Sequence, residues 1–299
     1  MDLRGKLIIV TGASSGLGRA IAWHLAVEEH AHVLLAARRR DRLEELQAQI
    51  REAGGGSAWI SEVDLASPDG PEKLLAAAQQ VAAQQVAADN GVLSSPASRK
   101  VARTLPFGLV NNAGVTYWGP ASSMTGDDLR RIIELNVAGT MELTRRFLQL
   151  HLAEPAPSSQ PAATVLTVTS LASRLPVPYQ AAYAASKHAL EAFSQSLWFE
   201  LRRLARTGGP RIVVTSFAPG GIATEMIERS GLTQRFDLPT EGGSRVLESA
   251  ERVARRAIRV WKRERRARVG GAANVLAAAA GRFLPAGIVG RLAERLYRP

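Results

Sequence analysis

Short, unbroken apolar runs alternate with longer segments of helical period from Leu7 onward, and this alternation is the strongest constraint on the fold. The strand candidates are Leu7–Thr11, His32–Ala36, Ala58–Val63, Gly108–Asn111, Thr164–Thr169 and Arg211–Ser216. Most are apolar throughout rather than at every second residue, the pattern of parallel strands buried on both faces. Helical patterns fill the intervals at Gly16–Glu28, Asp41–Ala53, Asp127–Leu152 and Ala181–Thr207. The order predicts an α/β fold: a doubly wound parallel sheet with helices on both faces and its ligand at the carboxyl ends of the strands.

Composition narrows the function. The chain has 299 residues and no cysteine, so disulfide frameworks, thiolate metal sites and cysteine nucleophiles are excluded. Its formal charge of +11 is uneven. Residues 1–240 carry 24 Lys and Arg against 22 Asp and Glu, whereas residues 241–299 carry 14 against 5. The sequence reading is therefore one catalytic domain over 1–240, with an insertion at about 76–104, and a basic extension over 241–299. An apolar run already under way at Leu7 leaves no room for a signal peptide, and no uncharged stretch has the length of a spanning helix. The expected location is cytoplasmic, with a peripheral position at the inner membrane surface as the variant that the extension suggests.

Directly after the first strand stands Thr11-Gly12-Ala13-Ser14-Ser15-Gly16-Leu17-Gly18, and a helix follows. In a strand–turn–helix unit, Gly12 permits the sharp turn, Gly16 a close backbone approach to a pyrophosphate, and Gly18 close helix–strand packing. The N–H groups of the helix start then face the phosphates. The second strand runs out into Ala37-Arg38-Arg39-Arg40. Ala37 stands where an NAD site places a carboxylate for the ribose 2′-hydroxyl, and Arg38 follows at once, suited to a 2′-phosphate. The expected cofactor is NADP(H). Arg39 and Arg40 are read as the start of a solvated helix with i,i+4 charge pairs. Asp64, ending the third strand, is placed to accept from the adenine amino group. Asn112, Ala113 and Gly114 follow the fourth strand, where asparagine satisfies backbone groups between strands and Gly114 leaves room for the cofactor.

Ser170 closes the fifth strand, and Tyr183 and Lys187 follow one helical turn apart on one face. A free phenol near pKa 10 exchanges protons poorly at neutral pH, and an adjacent ammonium lowers that value by stabilising phenolate. Ser170 is then a holder of the substrate oxygen that Tyr183 protonates.

Together these motifs resemble the short-chain dehydrogenase/reductase family, with its Rossmann-like fold, over residues 5 to about 228: TGxxxGxG at Thr11–Gly18, NNAG at Asn111–Gly114, and the Ser170, Tyr183, Lys187 set. The resemblance adds Asn136, in LNVAG, as a fourth active-site residue holding a water that links Lys187 to solvent. It implies that Lys187 also binds the nicotinamide ribose, and that Pro219, Gly220 and Thr224 line the nicotinamide and bind its carboxamide. The implied reaction is hydride transfer between nicotinamide and a carbonyl or secondary alcohol. A catalytically silent NADP(H)-binding scaffold or sensor is the alternative, against which the complete residue set argues.

The substrate-facing loops are read as Val115–Met124, Leu171–Gln180 and Ile222–Leu238, offering Tyr117, Trp118, Leu175, Val177, Pro178, Met226 and Ile227 with few fixed charges. Such a lining suits a lipophilic ketone or aldehyde. The Ala/Gln-rich stretch from 76 is longer than the family pattern and is read as an extended helix on the sheet's face, which favours a homodimer over the usual tetramer. The extension holds two amphipathic patterns, Ser249–Arg268 and Gly287–Tyr297. Docking on the protein's own body or a partner copy, and contact with a membrane surface, both stay open for it. Nucleic-acid binding is not expected, because the arginines lack interleaved stacking aromatics.

Overall fold

The computed structural model describes residues 1–92, 105–152, 160–229 and 247–297. Among them seven strands form one parallel sheet in the order β3-β2-β1-β4-β5-β6-β7. The strands are β1 (Leu7–Thr11), β2 (His32–Ala37), β3 (Ala58–Glu62), β4 (Gly108–Asn111), β5 (Ala163–Val168), β6 (Ile212–Ala218) and β7 (Ala267–Val269). The strand order reverses between β1 and β4, and that switch opens a crevice beyond their carboxyl ends. The fold is the doubly wound parallel sheet that the alternation of apolar runs predicts.

Helices α1 (Gly16–Val27) and α2 (Arg40–Glu52) link the first strands, and α3 (Gly70–Val92) leads towards β4. The Ala/Gln segment is thus helical as far as Val92, while residues 93–104 lie outside the described residues, as do 153–159 of the Pro-rich loop before β5. Two apolar clusters fill the two faces of the sheet. Ile8, Val10, Leu166 and Val168 face α1 and α2, and Leu7, Ile9, Leu109 and Val165 face α3 and the long helices beyond it.

The pattern over Asp127–Leu152 predicts one helix, and the structure divides it. Helix α4 (Gly126–Ile132) and helix α5 (Thr140–Leu152) are joined by a π-helical turn, Ile133–Gly139, that carries Asn136. Such widened turns concentrate at functional sites. Helix α6 (Ala181–Arg206) carries Tyr183 and Lys187, and the short helix α7 (Glu225–Arg229) follows β6.

The sheet does not stop at residue 240. Helix α8 (Ala250–Lys262) lies against α1, with Val253, Ala254, Ala257, Ile258 and Trp261 buried. The Trp261 indole N–H donates to Thr164 Oγ1 at 2.7 Å from beneath β5. Strand β7 then pairs with β6, Ser216 to Ala267 through Ala218 to Val269. The amphipathic pattern over Ser249–Arg268 is not one continuous helix. It stops at Lys262, where the chain turns through Glu264 at φ 54° to enter β7. Much of α8's positive face is also neutralised internally: Arg255 pairs with Glu28 at 2.7 Å, Lys262 with Glu29 at 2.5 Å and Arg256 with Glu248 at 2.7 Å. Helices α9 (Ala272–Phe283) and α10 (Ala286–Tyr297) complete the chain.

Candidate active site

The phosphate end is built around Thr11. Its hydroxyl donates to Val110 O at 3.0 Å and accepts from the N–H groups of Asn112 and Ala113, at 2.9 and 3.1 Å. Asn112 Nδ2 returns a hydrogen bond to Thr11 O at 3.1 Å. These bonds hold the ends of β1 and β4 together beneath the crevice. Gly12 takes φ +67°, which an L side chain rarely adopts. At Gly18 the constraint is space, because a Cβ would lie 2.3 Å from Gly12 O. Leu17 is buried below the turn. No side chain caps the start of α1, so its N–H groups face the crevice.

The arginines after β2 divide differently from the expectation. Arg38 remains 59% exposed, its Nη1 3.8 Å from Asp64 Oδ2. Arg39 does not join a solvated helix face. It is the residue before α2, with extended backbone, and its side chain folds over the glycine turn to donate to Ser14 Oγ at 3.1 Å and Ser15 Oγ at 2.8 Å. Its other terminal nitrogen meets Glu225 of α7 at 2.8 Å. Position, rather than residue type, separates the two. The cap residue lies outside the helical period, so the charge pattern of α2 gave no signal for it.

Asp64 is held by a second residue that the sequence pattern did not flag. Arg131 of α4 donates to both carboxylate oxygens, at 2.9 and 3.1 Å, and Ala66 N–H adds a third bond at 3.0 Å. Partial burial opposes ionisation, but these donors and Arg38 outweigh it and hold the carboxyl below its usual value.

At the chemical end, Ser170 precedes a single 3₁₀ turn, Leu171–Ser173, and its Oγ accepts from Ala172 N at 3.1 Å. Tyr183 lies in the first turn of α6 and packs against a small apolar cluster of Ala172, Val177 and Ala184. Lys187, one turn on, is buried, and its Nζ donates to Val168 O at 3.1 Å and lies 5.8 Å from the centre of the Tyr183 ring. Desolvation lowers its pKa from the ordinary 10.5 to about 8.

Asn136 is completely buried. Its Oδ1 accepts from Val115 N at 2.8 Å, and its Nδ2 donates to Val115 O at 2.9 Å and to Ser186 Oγ at 3.0 Å. Both amide hydrogens are thus committed to protein, and the side chain locks the loop after Gly114 to α6. A Cβ on Gly114 would lie 3.1 Å from Asn136 Oδ1 and 3.6 Å from Lys187 Nζ, so these three residues converge.

Pro219 O accepts from Leu171 N at 2.7 Å, which ties the loop after β6 to the Ser170 turn. Thr224 sets its methyl over the glycine turn, 2.9 Å from where a Gly16 Cβ would stand. The chain's last third closes this side. Asn274 of α9 packs on Gly220, and Gly281 packs on Arg174 and Leu175. Met226 and Ile227 lie in α7, and residues 230–238 of the third substrate loop are outside the described residues. The structure therefore gathers Ser170, Tyr183, Lys187, Asn136 and the glycine turn at the carboxyl ends of the strands.

A model of the short chain dehydrogenase family matches residues 6–87 and 106–235. The chain belongs to the short-chain dehydrogenase/reductase family of oxidoreductases. Among curated proteins of this family, the hydroxysteroid 11-beta-dehydrogenase 1-like protein of Xenopus tropicalis is 32% identical over 204 residues, 67% of this chain and 59% of that protein. The family member described here spans from 59% to 71% of the length of such relatives. Two solved structures share the fold over 93% of each chain. One is a short-chain dehydrogenase from Sphingobium yanoikuyae in complex with NADPH, with TM-score 0.65 and 22% identity. The other is a short chain dehydrogenase/reductase from Burkholderia phymatum in complex with NAD, with TM-score 0.72 and 21% identity. The fold thus accommodates either dinucleotide. Among the described residues no cluster of three metal-ligating side chains occurs, and no helix is long and apolar enough to cross a membrane.

Proposed function

We propose that this chain is an NADP(H)-dependent reductase of a lipophilic ketone or aldehyde. The observation that carries the chemistry is the buried Lys187 ammonium one helical turn from the Tyr183 phenol, beside Asn136 and Gly114. The site fits a dinucleotide: the start of α1 is uncapped, and the Gly12–Gly18 contact leaves no Cβ over it. When bound, the nicotinamide supplies or accepts the hydride. Tyr183 gives a proton to the carbonyl oxygen, Ser170 holds that oxygen, and the charge of Lys187 stabilises the phenolate that results. Asn136 ties Val115 to Ser186, the residue before Lys187. Pro219, Gly220 and Thr224 form the wall on which the nicotinamide would rest.

Preference for NADP(H) is supported by two guanidinium groups at the end of β2, those of Arg38 and Arg39, with no carboxylate at Ala37. Arg39 already rests on Ser14 and Ser15, so Arg38 and Arg39 together are the proposed 2′-phosphate partners. The lipophilic substrate is supported by the apolar cluster around Tyr183 and by the roof that α9 forms over Leu175. The hydroxysteroid named for the Xenopus relative has the same character.

Two interactions belong to this reading. A homodimer contact through α5 and α6 is supported by Phe199, 57% exposed on α6, and Leu152, 43% exposed at the end of α5. Contact with an anionic membrane surface by α9 and α10 is supported by six exposed large apolar side chains there: Val275, Leu276, Phe283, Leu284, Ile288 and Leu292. Arg282, Arg291 and Arg295 lie among them. Sedimentation with vesicles of anionic and of neutral lipid tests the contact, and equal pelleting of wild type and a Leu276→Asp/Phe283→Asp variant contradicts it. Oxidation of NADPH with a panel of ketones and aldehydes tests the reaction. A protein that turns over none of them, yet binds NADPH, is the scaffold of the alternative reading.

A further inference from the structure

One buried carboxylate near the site has no part in the proton transfer. Glu191 lies one turn beyond Lys187, so Tyr183, Lys187 and Glu191 follow one line of α6 at spacings of four. Its side chain is 6% exposed and accepts four hydrogen bonds. Thr169 Oγ1 donates to Oε2 at 2.9 Å. Oε1 takes Arg174 Nη2 at 2.5 Å, Gln195 Nε2 at 2.7 Å and Ser216 Oγ at 2.9 Å. Thr169 is the residue before Ser170, and Arg174 is the residue after the 3₁₀ turn that Ser170 begins. Ser216 belongs to β6, the neighbour of β5. One carboxylate therefore grips both ends of the segment that presents the Ser170 hydroxyl, and it does so from the helix that presents Tyr183 and Lys187.

We propose that Glu191 is a positioning residue that sets Ser170 against Tyr183. Glu191 is the α6 side chain whose carboxylate takes a hydrogen bond from each end of the 169–174 segment. The backbone bond from Leu171 N to Pro219 O and the Ser173 hydroxyl on Ser170 O shape the turn itself. They do not fix its distance from α6. A buried carboxylate with four donors, one of them a guanidinium, is a stiff connector, because releasing any partner leaves a buried group unsatisfied. Near-attack geometry is sensitive to displacements of about 1 Å, which lower rates by about 100-fold. The segment also carries Arg174 and Leu175 against Gly281 of α9, so the same carboxylate aligns the site with its roof.

The proposal rests on Ser170 acting on the substrate oxygen. The test is a double-mutant cycle on the full-length protein with the best carbonyl substrate of the panel, using Glu191→Gln, Ser170→Ala and the pair. Glu191→Gln keeps the shape and removes the charge that holds Arg174 and Thr169. The expected result is a 10- to 100-fold lower kcat, with the NADPH dissociation constant, read by nicotinamide fluorescence, within about twofold of wild type. In the Ser170→Ala background the same substitution changes kcat by less than about threefold. Thr169→Val removes one of the four donors and lowers kcat in the same direction by a smaller factor, which keeps the test open should Glu191→Gln fail to fold. Wild-type kcat in Glu191→Gln, or an equal loss with and without Ser170, overturns the proposal. Wild-type kcat in Ser170→Ala overturns the Ser170 reading beneath it.

Discussion

Replacing Lys187 with methionine separates what the lysine does for the reaction from what it does to the fold. The ammonium is buried with one hydrogen bond, to Val168 O, and desolvation takes its pKa from 10.5 to about 8. Between those values the unfolded chain binds the proton and the folded chain does not, so stability rises with pH across that interval. Below pH 8 both states are protonated, and the folded state carries the whole cost of about 3 kcal/mol. Above 10.5 both are neutral and that cost disappears. Methionine fills nearly the same space without the charge, and it gives up one hydrogen bond worth about 1 kcal/mol. Lys187→Met is therefore expected to be about 2 kcal/mol more stable than wild type at pH 7 while losing turnover. Urea unfolding without cofactor at pH 7 and at pH 10 is the assay. The stability difference should fall by about 2–3 kcal/mol between the two, so that the variant is no more stable than wild type at pH 10. A variant less stable than wild type at pH 7, or a difference that does not change with pH, would refute the claim that Lys187 is held charged against its desolvation.

The same ionisation shapes activity: kcat/KM for carbonyl reduction should fall as pH rises through about 8, where Lys187 loses its proton and the phenolate its partner. A profile flat from pH 7 to 9 would contradict this. Trp261→Ala removes a fully buried indole and its bond to Thr164, so a loss of about 3–5 kcal/mol in urea unfolding is expected, and a loss below about 1 would show that α8 is not part of the core. Arg38→Ala and Arg39→Ala should each raise KM for NADPH about tenfold or more and leave KM for NADH within about twofold. An unchanged NADPH KM in either removes that arginine from the 2′-phosphate site.

The parallel sheet was legible because strands buried on both faces must be apolar throughout, as Ile8–Val10 and Val165–Leu166 are. The glycine turn and the Tyr183–Lys187 pair were legible because chemistry fixes their spacing. What escaped depends on long-range contact. Strand β7 is three residues, Ala-Arg-Val, and is a strand only because the edge of β6 lies beside it. The π-helical turn leaves the helical period of Asp127–Leu152 unbroken in sequence, so nothing local announces it. Arg39 and Arg131 are ordinary helix-end and helix-surface arginines until Ser14, Glu225 and Asp64 are brought to them. The basic extension departs furthest from what its charge pattern implies. Its helix α8 and strand β7 are part of the sheet and its cover, α9 packs on the Ser170 loop, and its Arg255, Lys262 and Arg256 pair with Glu28, Glu29 and Glu248 rather than with an external polyanion.

The central claim is that Tyr183 delivers the proton while a reduced nicotinamide dinucleotide is consumed. NADPH oxidation followed by absorbance with the ketone and aldehyde panel, in wild type and in Tyr183→Phe, tests it most directly. The account predicts turnover of at least one lipophilic carbonyl by wild type. It also predicts a fall of about 100-fold or more in Tyr183→Phe, with the NADPH dissociation constant nearly unchanged. Equal turnover by the two proteins would contradict it.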